Sequence, residues 1–143
     1  MSPRVLQFLD ARRAAIRSRW IELLFVEPVN SPLANPNTML FMLDGTLDEV
    51  FAALRRGETP REVPVPDSAG APNPYLAYFR AGTQALHEAL ILIQAETPEL
   101  DPRERDATFA ELNTVIRRLA RREIEGFAAL CQYPGRTEGV GTT

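Results

Sequence analysis

Lysine is absent from this 143-residue sequence, cysteine, histidine and tryptophan occur once each, and no apolar run approaches the length of a membrane span. Each scarcity removes a class of function. The single thiol, Cys131, cannot close an internal disulfide, and no second cysteine stands at metal-ligand spacing from it, which suits a reducing compartment. One histidine, His87, cannot supply the Glu-x-x-His pair that a di-iron bundle needs on each of two helices, nor a paired-histidine zinc motif. The N-terminal segment lacks the basic start and apolar run of a signal peptide, so a cytoplasmic location is expected. Nucleophile elbow, phosphate loop and acidic calcium loop are all missing.

What is present is charge of a particular kind. All sixteen basic residues are arginine, set against nineteen acidic residues for a net charge of −3. With alanine and proline abundant, this composition reads as that of a GC-rich genome. A net negative chain has no electrostatic footprint for nucleic acid. The length suits one domain, and folding can bury roughly two-thirds of the unfolded surface without disulfides or metal.

A two-residue signal recurs along the chain: Ser2-Pro3, Asn35-Pro36, Asn73-Pro74 and Asp101-Pro102. A short polar side chain can accept from the free N–H groups of a first helical turn, and proline at the next position sacrifices only an N–H that would be orphaned there. Each pair therefore marks a helix start. Glu104, three residues after Asp101, adds the pattern of a capping box. Pro28, Gly57, Thr97-Pro98 and Pro134-Gly135 mark the corresponding stops.

Between these signals run four periodic apolar stripes. The first helix, about 3 to 27, carries Val5, Phe8, Leu9, Ile16, Trp20, Leu23 and Leu24, with Arg12, Arg13, Arg17 and Arg19 on its other side. The second, about 36 to 56, places Leu40, Leu43, Leu47, Val50 and Leu54 in line with Phe51 beside them, and Gly45 inside it suggests close packing. The third, about 74 to 96, alternates strictly through Leu76, Phe79, Thr83, Leu86, Leu90 and Ile93. Ile91 and Leu92 broaden its apolar surface, so it is expected to be the most buried. The fourth, about 102 to 133, shows Phe109, Leu112, Ile116, Leu119, Phe127 and Leu130; longer than its partners, it is expected either to protrude or to bend, with Gly126 the place for a bend. The expected fold is all-α, a four-helix bundle over residues 1–134. It has a long Pro-rich loop, 58–73, between helices two and three, a long last helix, and a flexible tail over 135–143.

Few side chains suggest chemistry. Cys131 is expected on the inner side of the last helix, where a thiol acts as a small hydrophobe, and His87 is the only obvious base, so an enzyme is not expected. On a helical wheel Arg80, Gln84 and His87 form one edge beside the apolar stripe of helix three. The favoured reading of that edge is that it rims the core and reaches solvent or a partner helix, and the next is a polar pocket in a cavity between helices. Haem ligation by His87 is the less favoured alternative, and no cofactor or metal is expected. The run Arg117, Arg118, Arg121 and Arg122 puts four guanidinium groups on one side of the last helix, with Glu111, Glu123 and Glu125 in pairing range.

Taken together, the Arg-rich first helix leading to Trp20 (Arg13, Arg17, Arg19), the Pro-Leu-Ala-Asn-Pro stretch from Pro32 to Pro36, the Leu-rich helix ending at Gly57, and a third helix bearing Arg80 and Gln84 form a recognisable pattern. It resembles the N-terminal sensory domains of RsbR-type stress-response co-antagonists, a class also found ahead of some bacterial histidine kinases. The resemblance implies an all-α sensory or regulatory domain that binds a small ligand or relays a signal through a homodimer. The family's downstream anti-sigma-antagonist or kinase module does not follow within these residues, so output by covalent fusion is not expected unless the chain is a fragment of a longer one. Trp20, Arg80, Gln84 and His87 are the expected ligand-facing residues. A protein-interaction module without a ligand is the alternative.

Overall fold

The computed structural model describes the backbone of residues 1–26, 36–57, 63 and 73–141, and the side chains of these apart from 26, 36–38 and 131–141. The chain is all-α. The described residues form five helices, α1 (Pro3–Ala11), α2 (Arg13–Val26), α3 (Pro36–Arg56), α4 (Pro74–Glu96) and α5 (Pro102–Gly141), and no strand.

The helix-start signals act as their chemistry dictates. Ser2 Oγ accepts from Val5 N–H, Asn73 Oδ1 from Tyr75 N–H at 3.0 Å, and Asp101 Oδ1 from Arg103 N–H at 2.9 Å, each with proline next in line. Gly57 ends α3 with φ +75°, a left-handed conformation that costs a residue with a side chain about 1 kcal/mol or more. Asn35 and Pro28 lie outside the described residues, as do the Pro-rich crossing, apart from Val63 and Asn73, and the last two residues of the expected tail.

Three expectations about the helices are corrected. The first run is two helices: the backbone leaves helical geometry at Arg12 (φ −97°, ψ 8°), where Arg12 N–H turns back to Leu9 O and Ile16 N–H restarts the ladder on Arg12 O. Neither proline nor glycine lies there. The Arg12 guanidinium instead pairs with Glu96 of α4, so the break coincides with a tie to another helix. The last helix does not stop at Pro134-Gly135 but continues without interruption to Gly141. Proline forfeits a single backbone hydrogen bond and its fixed φ is itself helical, so the helix continues at a local cost of about 3 kcal/mol. Gly45 is exposed, and a Cβ there would meet nothing within 4 Å, so close packing is not its reason. Gly45→Ala is expected to stabilise the fold by up to about 1 kcal/mol, read as a rise in thermal midpoint, because it removes only the glycine penalty.

The helices pack in a ring. α2 lies against α3 and α4, α5 lies against the same two, and α1 extends α2 by contacting α3 and α4. The interior holds Leu9, Ile16 and Trp20 from the first two helices, Leu43, Leu47 and Phe51 from α3, Tyr78, Leu86 and Leu90 from α4, and Leu112 from α5. Each such large side chain, removed from water, contributes about 1.5–3 kcal/mol. Ten residues of α4 are buried, among them Tyr78 and, from its apolar stripe, Leu86, Leu90 and Ile93. Ile91 and Leu92, however, are 55% and 53% exposed, and Leu130 and Phe8 also face outward.

The arginines of α2 do not form a merely solvated face. Arg13 pairs with Asp48 at 2.7 Å and Arg17 with Asp44 at 3.2 Å, tying α2 to α3, while Arg19 reaches Glu88 of α4 at 2.8 Å. Pairs this exposed add about 0–1 kcal/mol each. Their use is alignment more than strength.

At the centre, Trp20 Nε1–H donates to Tyr78 O at 2.9 Å, the two rings pack 4.9 Å apart, and Tyr78 donates its phenol to Thr46 Oγ1 at 2.8 Å. Burial pushes the Tyr78 phenol well above its ordinary pKa. The folded state therefore holds that proton more tightly than the unfolded chain, so its contribution is complete below about pH 10 and is lost as pH rises further. Thermal melts of the native chain are expected to fall above pH 10, and Tyr78→Phe to flatten that fall while costing about 1 kcal/mol at neutral pH for the lost bond to Thr46.

Candidate functional site: a groove between α4 and α5

Three contacts set the register of α4 against α5: Asn73 Nδ2–H donates to Ile124 O at 3.1 Å, His87 Nε2 bonds Asn113 Oδ1 at 2.7 Å, and Gln94 donates to Arg105 O at 3.4 Å. The helices run antiparallel, with Arg80 level with Arg117. On this seam both helices present short side chains, Thr83 from α4 and Ala120 from α5, and a groove of about 650 Å³ opens between the walls. Its apolar floor includes Leu76, Phe79, Ile116 and Ile124. Its rim is polar. The volume lies within the range of small-molecule sites.

Three of the four residues expected to face a ligand line this groove, namely Arg80, Gln84 and His87. Spacing of three and four along α4 puts them on one edge beside the stripe that enters the core. Trp20 does not join them. Its side chain is buried at 1% exposure, its N–H is used by Tyr78 O, and its ring fills the space over Gly82 on the core side of α4. A large aromatic ring with one polar atom is best satisfied by burial with that atom bonded, and this outweighed its arginine-rich neighbourhood.

The rim is tethered. Gln84 donates to Glu88 Oε1 at 3.1 Å, and Glu88 receives both the Nε–H and the Nη2–H of Arg19, at 2.8 and 3.2 Å. The Arg19 guanidinium, followed by the Gln84 amide, holds the Glu88 carboxyl below its usual range, and Glu88 in turn raises Arg19. Among the described residues Glu88 is the one carboxylate that lines the groove, and Arg19 neutralises it from outside. One position before Glu88, the His87 ring bridges to Asn113 on the facing wall. Oδ1 of an amide can only accept, so Nε2 carries the proton, and Phe109 meets the ring edge-on at 5.6 Å. That bond occupies the nitrogen farthest from the backbone, the one best placed to reach an iron.

The α5 wall was not foreseen as part of a site. Asn113, Arg117, Ala120 and Ile124 repeat at the three-four spacing that singled out the α4 edge, and a half-buried asparagine beside the Leu112–Ile116 stripe was the available signal. The arginine run hid it. The four guanidinium groups do not share one side: Arg117 lines the α4–α5 groove, whereas Arg118 and Arg122 border a smaller cavity of about 290 Å³ between α3 and α5 with Arg56 and Glu49. Arg121 pairs with Glu125 at 3.0 Å, and Arg122 with Glu49 and Glu123, both at 2.8 Å. Glu111, expected to join that pairing, is buried and bound to the amino group of Met1. Among the described residues no cluster of three or more metal-ligating side chains occurs, and no helix is long and apolar enough to cross a membrane.

The fold and the groove define the chain as an all-α protein with a ligand-sized cleft between two antiparallel helices. Comparison with known proteins finds no matching family model, no matching curated protein and no matching solved structure.

Proposed function

We propose that the chain is a non-enzymatic sensory or regulatory domain whose α4–α5 groove takes up a small molecule with an apolar body. The observation that carries this reading is the coincidence of a 650 Å³ apolar-floored groove with the polar edge Arg80, Gln84, His87. Support comes also from the tethering of that edge: Arg19, Glu88 and Gln84 link α2 to the rim, so an occupant that shifts the rim has a mechanical route to a second helix. Chemistry on a bound molecule would need a nucleophile beside a base. Among the described residues of the groove the histidine faces an amide and a phenyl ring instead.

The test is titration with N-phenyl-1-naphthylamine, a neutral dye whose emission rises in apolar surroundings. One saturable site per chain is expected. Absence of saturable binding would remove the reading.

The resemblance to RsbR-type sensory domains, a cytoplasmic location and a homodimer belong to the same proposal. The dimer is favoured by Ile91 and Leu92, adjacent on α4 and more than half exposed, with Ile91 also bordering the groove. Burying such a pair against a second copy removes apolar surface from water. Sedimentation equilibrium should give twice the 16.0 kDa of one chain, and Leu92→Glu should return the single-chain mass. A native chain that sediments as a monomer at high concentration excludes the dimer.

A further inference from the structure

The groove's charge restricts what it can hold. Among the described residues its lining holds one carboxylate, Glu88, which is engaged by Arg19 and Gln84, and on the α5 wall the guanidinium of Arg117. Arg117 is exposed, and among the described residues it makes no ion pair and no hydrogen bond. Every other arginine of its run lies in a network of Glu49, Glu123 and Glu125 or borders the cavity on the α3 side. A planar guanidinium beside an apolar surface suits a carboxylate, which it can meet with two parallel hydrogen bonds. From the level of Arg117 the floor continues past Ala120 to Ile124, about 10 Å at 1.5 Å per residue, with Leu76 and Phe79 on the facing wall. In the other direction the His87–Asn113 bridge crosses the seam, so an apolar chain runs toward Ile124.

We infer that the ligand is a free amphipathic carboxylate of medium chain length, its head at Arg117 and its chain on Leu76, Phe79, Ala120 and Ile124. The inference rests on the groove reading above and adds the sign of the ligand's charge and the residue that reads it. Membrane phospholipid is a poor alternative, because one short groove of 650 Å³ offers a wall for a single chain.

Displacement of bound N-phenyl-1-naphthylamine tests it on the intact chain. Octanoate is expected to displace the dye at about one-tenth the concentration that 1-octanol needs, the tenfold ratio expected of one charge-assisted contact at a solvent-facing site. Raising the salt concentration should narrow that ratio. Arg117→Gln should bring the displacement midpoints of octanoate and octanol together, each taken relative to that variant's own dye affinity, and Arg117→Lys should keep part of the preference. Vesicles of anionic phospholipid should neither displace the dye nor sediment the protein. If the dye binds but octanoate and octanol compete equally, or Arg117→Gln leaves the preference intact, the carboxylate inference is wrong and the groove reading stands. If anionic vesicles displace the dye where octanoate does not, the ligand is a lipid surface. If the dye does not bind the native chain, both readings fail together.

Discussion

Gly82→Ala is expected to lower the stability of the fold by about 2 kcal/mol, a drop of about 7 °C in thermal midpoint for a chain of this size. A Cβ at position 82 would fall within 3.0 Å of three atoms of the Trp20 ring, and that ring cannot step aside because its N–H is fixed to Tyr78 O and its face lies against the Tyr78 ring. Overpacking of this kind costs about 1–3 kcal/mol or more, and the alanine recovers only about 1 kcal/mol of helix propensity. The sign should reverse at Gly45, where the added methyl meets no neighbour. Trp20→Leu separates the clash from any other effect. That substitution is costly alone, but combined with Gly82→Ala the loss should fall short of the sum by at least about 1 kcal/mol, since the ring that the methyl strikes is gone. Strict additivity would mean that the indole and the glycine are not in contact.

Thr83→Phe is expected to weaken dye binding by at least about tenfold, with little change in stability. Thr83 is half-buried on the α4 wall, and its hydroxyl donates to Phe79 O within its own helix, so the substitution removes one local bond and projects a ring into the groove. The volume of that ring competes with the ligand for the apolar floor. Ala120→Leu on the facing wall should act in the same direction by the same means. A pair of variants on different helices guards against one of them failing to fold, and the thermal midpoint of each shows whether it has. Full dye affinity in a folded Thr83→Phe chain would place the binding site elsewhere.

The elements legible in the sequence were those governed by local chemistry. Ser2, Asn73 and Asp101 cap helices because a short oxygen-bearing side chain before proline has few other uses, and Gly57 ends α3 because the turn needs positive φ. The stripe on α4 was legible for the same reason, and with it the edge of Arg80, Gln84 and His87 that lines the groove. What escaped depended on contacts between helices. The break at Arg12 accompanies an ion pair with a residue on α4, and the close-packed glycine proved to be Gly82, since only the partner helix tells which glycine faces an indole. The sequence neighbours of Trp20 point it at a ligand, whereas its neighbours in space hold it in the core. Arg117 stands in sequence with Arg118, Arg121 and Arg122, yet 100° per residue carries Arg118 and Arg122 round to the α3 side of α5.

The most direct test is a map of backbone amide shifts by nuclear magnetic resonance as N-phenyl-1-naphthylamine is added to the isotopically labelled chain. Shifts confined to Leu76–His87 of α4 and Asn113–Ile124 of α5, saturating together, are the expected result. Shifts centred on the α2–α3 face, or on the smaller cavity beside Arg56 and Glu49, would contradict the assignment of the groove as the binding site.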